Sequence, residues 1–291
     1  MPRQISFTVS NEYDNKKVVH FLRGNAQLSA RLIGTLKRAE NGILLNGSHI
    51  RTIDLIKAGD IITVNIPDDE TIAEPINIPL EILFEDADLI AVNKPPFLAM
   101  HPTHNHQGDT LANAIAWHLA GKGNNAAFRA IGRLDKGTSG VVICALNKYS
   151  AARLTGNIKK EYLAIVEGVF EGEGTIDMPI CRPNPMQTVR ACAEVGDSAV
   201  THWQALGSGN GLSLLRLKLE TGRTHQIRAH FAYVGAPLAG DSMYGSVDTQ
   251  PGHQLLHCEN AELIHPVTGK LMKIAAPMPD EMAEYVKNMK I

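Results

Sequence analysis

The sequence predicts an α+β protein in two parts, a small module over residues 1–75 and a larger domain over residues 76–291. Three observations carry this expectation. Helix-period stretches are interleaved with short strand-like runs joined by hairpin signals. Residues 67–75, PDDETIAEP, are acidic, bounded by proline and without periodicity, which marks a linker. Residues 141–146, VVICAL, form a continuous apolar run rich in β-branched side chains, the pattern of a strand buried on both faces of a sheet.

A chain of 291 residues exceeds what one ordinary hydrophobic core uses, which agrees with two parts. With 44% hydrophobic and 20% charged residues the composition is that of an ordinary soluble protein. No apolar run approaches a membrane span and the N-terminus lacks the order of a signal peptide, so a cytoplasmic protein without a membrane partner is expected. Cys144, Cys181, Cys192 and Cys258 are widely spaced with no Cys-x-x-Cys, which argues against a zinc site and a disulfide framework. A net charge of -2 lacks the basic excess of a nucleic-acid binder, so any such contact must be local.

In the first part, an irregular start precedes Leu28, Leu32, Ile33 and Leu36, which recur at helical spacing. Arg31 and Arg38, seven apart, share another face of that helix with Lys37 near its edge. By spacing alone these three are a solvated face. Asn41-Gly42 is predicted to end the helix, residues 43–45 to form a strand, and Asn46-Gly47 to turn a hairpin. A second turn at Ala58-Gly59-Asp60 leads into a strand over 61–66.

The second part opens with a hairpin, residues 82–84 and 89–92 flanking 85–88, closed by Asn93-Lys94-Pro95-Pro96. His101, His104 and His106 cluster in a loop, but their spacing fits no metal motif and no metal is expected. A helix follows from Asp109 as N-cap to Gly121. Asp135 then stands between Arg133 and Lys136, just ahead of the turn Gly137-Thr138-Ser139-Gly140 and the apolar run. Rigid elements position catalytic groups well, so this carboxylate is the first candidate for chemistry, although it also reads as a turn cap. Residues 150–158 should be helical and deliver Lys160-Glu161-Tyr162 to a strand over 163–166, where Tyr162 by itself reads as a packing residue. The alternating strand over 214–219 delivers Arg223, His225 and Arg228 in the run TGRTHQIRAH, whose arginines could by themselves be strand-end charges.

Arg133-Leu134-Asp135 with Thr138-Ser139-Gly140 resembles the signature of the RluA-type pseudouridine synthases, with Gly132 where a His is common. Lys160-Glu161-Tyr162 before its strand, the run over 221–230, GDSMYG over 240–245, Asn93-Lys94-Pro95-Pro96 and HPVTG over 265–269 are similar to further family motifs. Asp197 replaces a usual Lys in another. Residues 20–66, with GILLNG and KAGDII, resemble the S4 RNA-binding domain.

The resemblance implies an S4-like domain followed by a catalytic domain on a mixed, largely antiparallel sheet with flanking helices. It implies isomerisation of uridine to pseudouridine in structured RNA, large-subunit ribosomal RNA ahead of transfer RNA, by a monomer without a cofactor. Asp135 is then the catalytic carboxylate, Arg228 the cation that keeps it charged, and Tyr162 the ring that covers the base. Arg31, Lys37 and Arg38 would meet RNA on the first part, and Arg133, Arg223 and His225 would hold phosphates around the flipped nucleotide. Two other readings stand beside this one. A non-catalytic RNA-binding protein could keep the fold, with Gly132 as its support, and Asp135-Lys136-Gly137-Thr138 invites comparison with the phosphorylated aspartate of ion pumps, although neither spans nor a nucleotide motif accompany it.

Overall fold

The structure, a computed structural model, describes residues 3–67, 73–103, 107–124, 126–247, 249–287 and 289–290. The first part contains β1 (Arg3–Thr8), β2 (Lys16–Lys17), α1 (Val18–Gly24), α2 (Ala30–Leu36), β3 (Ile43–Leu45), β4 (Ser48–His49), β5 (Leu55–Ile56) and β6 (Ile61–Ile66). Its main sheet has the order β1-β6-β3-β4, with β2 and β5 paired separately. The second part contributes β7 (Glu81–Glu85), β8 (Leu89–Lys94), α3 (Leu111–Ala120), β9 (Arg129–Ala130), β10 (Ser139–Ala145), α4 (Lys148–Leu154), β11 (Lys159–Glu167) and β12 (Glu173–Asp177). There follow β13 (Ile180–Cys181), β14 (Ala191–Cys192), β15 (Val200–Gly209), β16 (Leu212–Leu219), α5 (Gln226–Tyr233), β17 (Leu256–Ile264), β18 (Leu271–Ala275) and α6 (Asp280–Val286).

One sheet organises the second part, in the order β12-β15-β16-β11-β17-β10-β8-β7, with β18 on β17 and β9 on β10. Its ladders are antiparallel except β10 on β17, so it is mixed and largely antiparallel, as expected. Every residue of β10 is buried, which is why its sequence shows no alternation. Gly140 makes the parallel contact possible. It has φ +106, and a Cβ there would run into the backbone of Cys258 on β17. The four cysteines are free. Among the described residues no helix is long and apolar enough to cross a membrane.

The irregular start expected at the N-terminus is instead ordered. β1 pairs along its length with β6, and α1 buries Val18, Phe21 and Leu22. The Ile5-x-Phe7-x-Val9 alternation was the available signal. The hairpin at Asn46-Gly47 forms with both residues at positive φ, 50° and 87°. The helix carrying Arg31 is shorter than its spacing suggested. Ser29 caps it, its hydroxyl accepting from the Leu32 N–H at 3.2 Å, and it ends at Leu36. Lys37 and Arg38 therefore lie in the following turn rather than on a helix face with Arg31, though all three are exposed.

Other boundaries move by a few residues. Thr110, not Asp109, caps α3, in a capping box with Asn113. Asn147 starts α4 early, the helix stops at Leu154, and Tyr162 sits inside β11 rather than at its start. Residues 221–230 do not end a strand as charges but turn into α5. Of the predicted linker, 68–72 lie outside the described residues, and Ala73 already packs on Ala112 and Ala116. His104 and His106 also lie outside the described residues, while His101 stacks edge-on against Phe128 at 4.9 Å.

The two parts touch through specific groups. Tyr149 of α4 is 3% exposed within the apolar cluster of the first part, its ring 6.2 Å from that of Phe7. Arg3 donates to both carboxylate oxygens of the buried Asp88, at 2.9 and 2.7 Å, and Arg153 donates to Gln27 at 2.7 Å. A bidentate guanidinium–carboxylate pair adds geometric definition to an apolar contact.

Candidate active site

The turn before β10 presents Asp135. The Thr138 N–H donates to the Asp135 carbonyl at 3.0 Å, and Gln254 donates to the Thr138 hydroxyl at 3.0 Å. At Gly137 a Cβ would collide with the Gln254 amide, so the turn lies tight against that side chain. Lys94 ties it from below. This fully buried side chain donates to the carbonyls of Pro95 at 2.9 Å, Leu98 at 2.9 Å and Lys136 at 3.0 Å. Burial pushes its pKa down to about 7 while nearby Asp135 opposes the shift, and three carbonyls are what an ammonium's three donors require.

Arg228 reaches Asp135 from α5. Its Nη1 donates to Asp135 Oδ2 at 3.1 Å, while Nε and Nη2 donate to Asp241 at 2.7 and 2.8 Å. The guanidinium also lies 4.8 Å from the ring centre of Tyr244. Burial works against its charge, but Asp241 and then Asp135 outweigh that and hold its pKa above the ordinary value. The two carboxylates differ. Asp241 is 2% exposed and takes a bidentate pair, whereas Asp135 is 26% exposed and takes one bond. Asp135 thus keeps oxygen lone pairs facing the cleft.

The cleft opens to solvent and is lined by Asp135, Tyr162, Arg223, His225 and Arg228, with Leu256 among its apolar walls. Tyr162 is 8% exposed, and burial, then Cys258 and Asp135, push its pKa well above the ordinary value. It is a neutral phenol that can donate a proton or a hydrogen bond. His225 sits at the start of α5 with φ 56°, its Nδ1 3.0 Å from the Tyr244 hydroxyl and its Nε2 3.7 Å from Asp135 Oδ2. Burial lowers its pKa, with Asp135 pulling the other way and Arg228 adding to the fall, so the site favours the neutral ring.

Of the residues singled out in the sequence, Arg133 and these five meet at this one cleft. Arg133 is exposed at the rim, and Arg223 is held by its Nε donating to the Ser198 carbonyl at 3.0 Å. Arg31, Lys37 and Arg38 line no part of it. Sequence reasoning missed Asp241 and Lys94 as supports, although both lie in runs it had marked. It also missed Arg182 and Arg190, which line a cavity with Arg223 next to the cleft. Their segment has no periodicity to read, so only folding brings them there.

A buried cation beside a partly exposed carboxylate, in a cleft that an aromatic ring also lines, suits attack on an electrophilic carbon or proton transfer at a flat heterocycle. The comparisons with known proteins name the chemistry. The profile of the RNA pseudouridylate synthase family matches residues 88–233. The chain is 35% identical over 274 residues to a Bacillus subtilis protein described as uncharacterized RNA pseudouridine synthase YjbO, covering 91% of this chain and 96% of that one. It is 35% identical over 272 residues to the ribosomal large subunit pseudouridine synthase D of Haemophilus influenzae, covering 81% and 84%. Among solved structures, human RNA pseudouridylate synthase domain containing 1 is 27% identical with a TM-score of 0.56, covering 68% of this chain and 83% of that one. With a family profile over half its length and relatives of this identity over most of it, the chain belongs to the RluA-type RNA pseudouridine synthases.

Proposed function

We propose that Asp135 is the catalytic carboxylate, that the target is a uridine of large-subunit ribosomal RNA, and that the first part is an S4-like RNA anchor in a cytoplasmic monomer. The observation that carries the first point is the 3.1 Å bond from Arg228 to Asp135 in the cleft that Tyr162 also lines. Pseudouridine formation breaks the N1–C1′ bond, turns the uracil, joins C5 to C1′, and moves the C5 proton off the ring as N1 gains one. No atom is gained or lost. A fixed carboxylate stabilises or captures the positive charge that develops on the sugar, as in glycosidases. Arg228 sets a buried positive charge against that carboxylate and fixes its orientation through the 3.1 Å bond. Tyr162 offsets the stacking lost when the uridine flips, and its neutral hydroxyl would serve the proton at C5.

Arg133, Arg223 and His225 line the same cleft, where they would hold phosphates around the flipped nucleotide. The ribosomal target draws support from the Haemophilus influenzae relative, whose name gives its substrate as the large ribosomal subunit. Exposed Arg31, Lys37 and Arg38 support the anchor. Pseudouridine mapping of total RNA with and without this gene tests the reading. Sites that vanish from large-subunit RNA and return with the parent gene, but not with an Asp135→Asn copy, are expected; a map that does not change would overturn it.

A further inference from the structure

We infer that Lys160 is a substrate-positioning residue, binding an RNA phosphodiester beside the target uridine in the space that Gly132 leaves open. This rests on the RNA substrate argued above. Gly132 is exposed, has φ +77, and directly precedes Arg133 at the cleft rim. A Cβ built on it would meet one atom within 4 Å, the Lys160 ammonium at 3.6 Å. No other described group beyond the two chain neighbours comes that close to this position.

The strand sets this placement. Lys160 lies two residues before Tyr162 on β11, and side chains two apart share a face, so the ammonium follows the base-covering ring out of the cleft. Leu219 lines both that cleft and a neighbouring cavity walled by Lys159, Lys160, Lys218 and Lys273. The acids of that cavity are mostly engaged: Glu161 pairs with Lys218 at 2.9 Å and accepts from Asn260, and Glu220 takes His202 at 2.8 Å. Glu262 lies opposite Lys159 in the β11–β17 register. Among the described residues no carboxylate lies within ion-pair distance of Lys160. A half-buried ammonium without a counterion, at the mouth of a site that binds a polyanion, is a phosphate contact waiting for its phosphate.

The left-handed backbone at Gly132 matters too. A bulky side chain there would be strained, so the position is built to stay empty and the neighbouring strand supplies the cation.

Tritium release from total RNA labelled at uridine C5, prepared from cells lacking the gene, tests this on the full-length protein without presuming which RNA is modified. Loss of C5 tritium by the parent protein establishes the reaction independently. Lys160→Met should then raise KM about tenfold, the value of one hydrogen bond to a charged group. The salt dependence of RNA binding should flatten by about one contact, and Lys160→Arg should restore both. Gly132→Asn, which a left-handed backbone tolerates, should crowd the ammonium and raise KM as well, and the double variant should lose less than the two losses combined. Parent-like KM and salt slope in Lys160→Met would overturn the inference. So would a loss that Arg does not restore and that tracks a lowered unfolding midpoint, since that would mark a packing role.

Discussion

Arg228 and Arg38 carry the same guanidinium, and the protein treats them in opposite ways. Arg228 is 7% exposed, donates three hydrogen bonds to two carboxylates and lies against a tyrosine ring. Arg38, with Lys37 and Arg31, projects into solvent from the first part, and among the described residues none of the three is in an ion pair. On the proposed function, the contrast follows from what each region would have to do. Chemistry at one bond demands fixed geometry, so its charges are oriented before substrate arrives. Anchoring a polyanion demands charge density, and long side chains that adjust to the backbone supply it without a preformed partner.

The largest effect that would break this contrast belongs to Asp135→Asn. The substitution keeps shape and polarity, so unfolding in urea should change by about 1 kcal/mol or less, as for a partly exposed cap. Turnover should nevertheless fall by at least about a thousandfold, because an amide neither attacks nor stabilises the charge. Robust turnover in this variant would mean that the cleft's geometry serves binding alone.

Asp241→Ala should show the reverse balance. It leaves a buried guanidinium short of its bidentate partner, which costs about 3 kcal/mol or more of stability by denaturant unfolding. A cost near zero would mean that Asp241 does not hold Arg228 in place.

Arg228→Met removes the cation while keeping much of the bulk. Asp135 then loses the donor that fixes its orientation, so kcat should fall by about a hundredfold while RNA binding changes little. Parent-like kcat in the variant would mean that the pairing has no part in the reaction. Tyr162 gives a smaller contrast: Phe keeps the ring and should bind RNA nearly as the parent does, whereas Leu should weaken binding by about 1–3 kcal/mol. Equal binding by both would make the ring a packing element.

The smallest effect per residue belongs to the first part. Reversing Arg31 and Arg38 to Glu should raise KM and flatten its salt dependence by about one contact for each residue, measured from 50 to 200 mM salt. Unchanged affinity and slope would show that the first part does not anchor RNA.

Much of this was written into local sequence. The VVICAL run could only be a doubly buried strand, Asn46-Gly47 could only turn a hairpin cheaply, and the order of motifs already paired Asp135 with Arg228 through resemblance. These are short-range patterns, set by backbone sterics and by which side chains can face water. What local pattern could not decide is where distant side chains meet. Asp241 beside Arg228, Lys94 under the Asp135 turn, Arg3 on Asp88 and Lys160 at Gly132 join residues that no periodicity links. The ends of α2 and α4 also escaped, because a cap and the close approach of Gly42 to Leu36 stop helices whose apolar spacing would run on. The sequence by itself determined most of the elements and the candidate catalytic groups. Only the tertiary structure decided which charges are buried and paired and which stay free, because desolvation and partner geometry exist only once the sheet has brought those chain segments together.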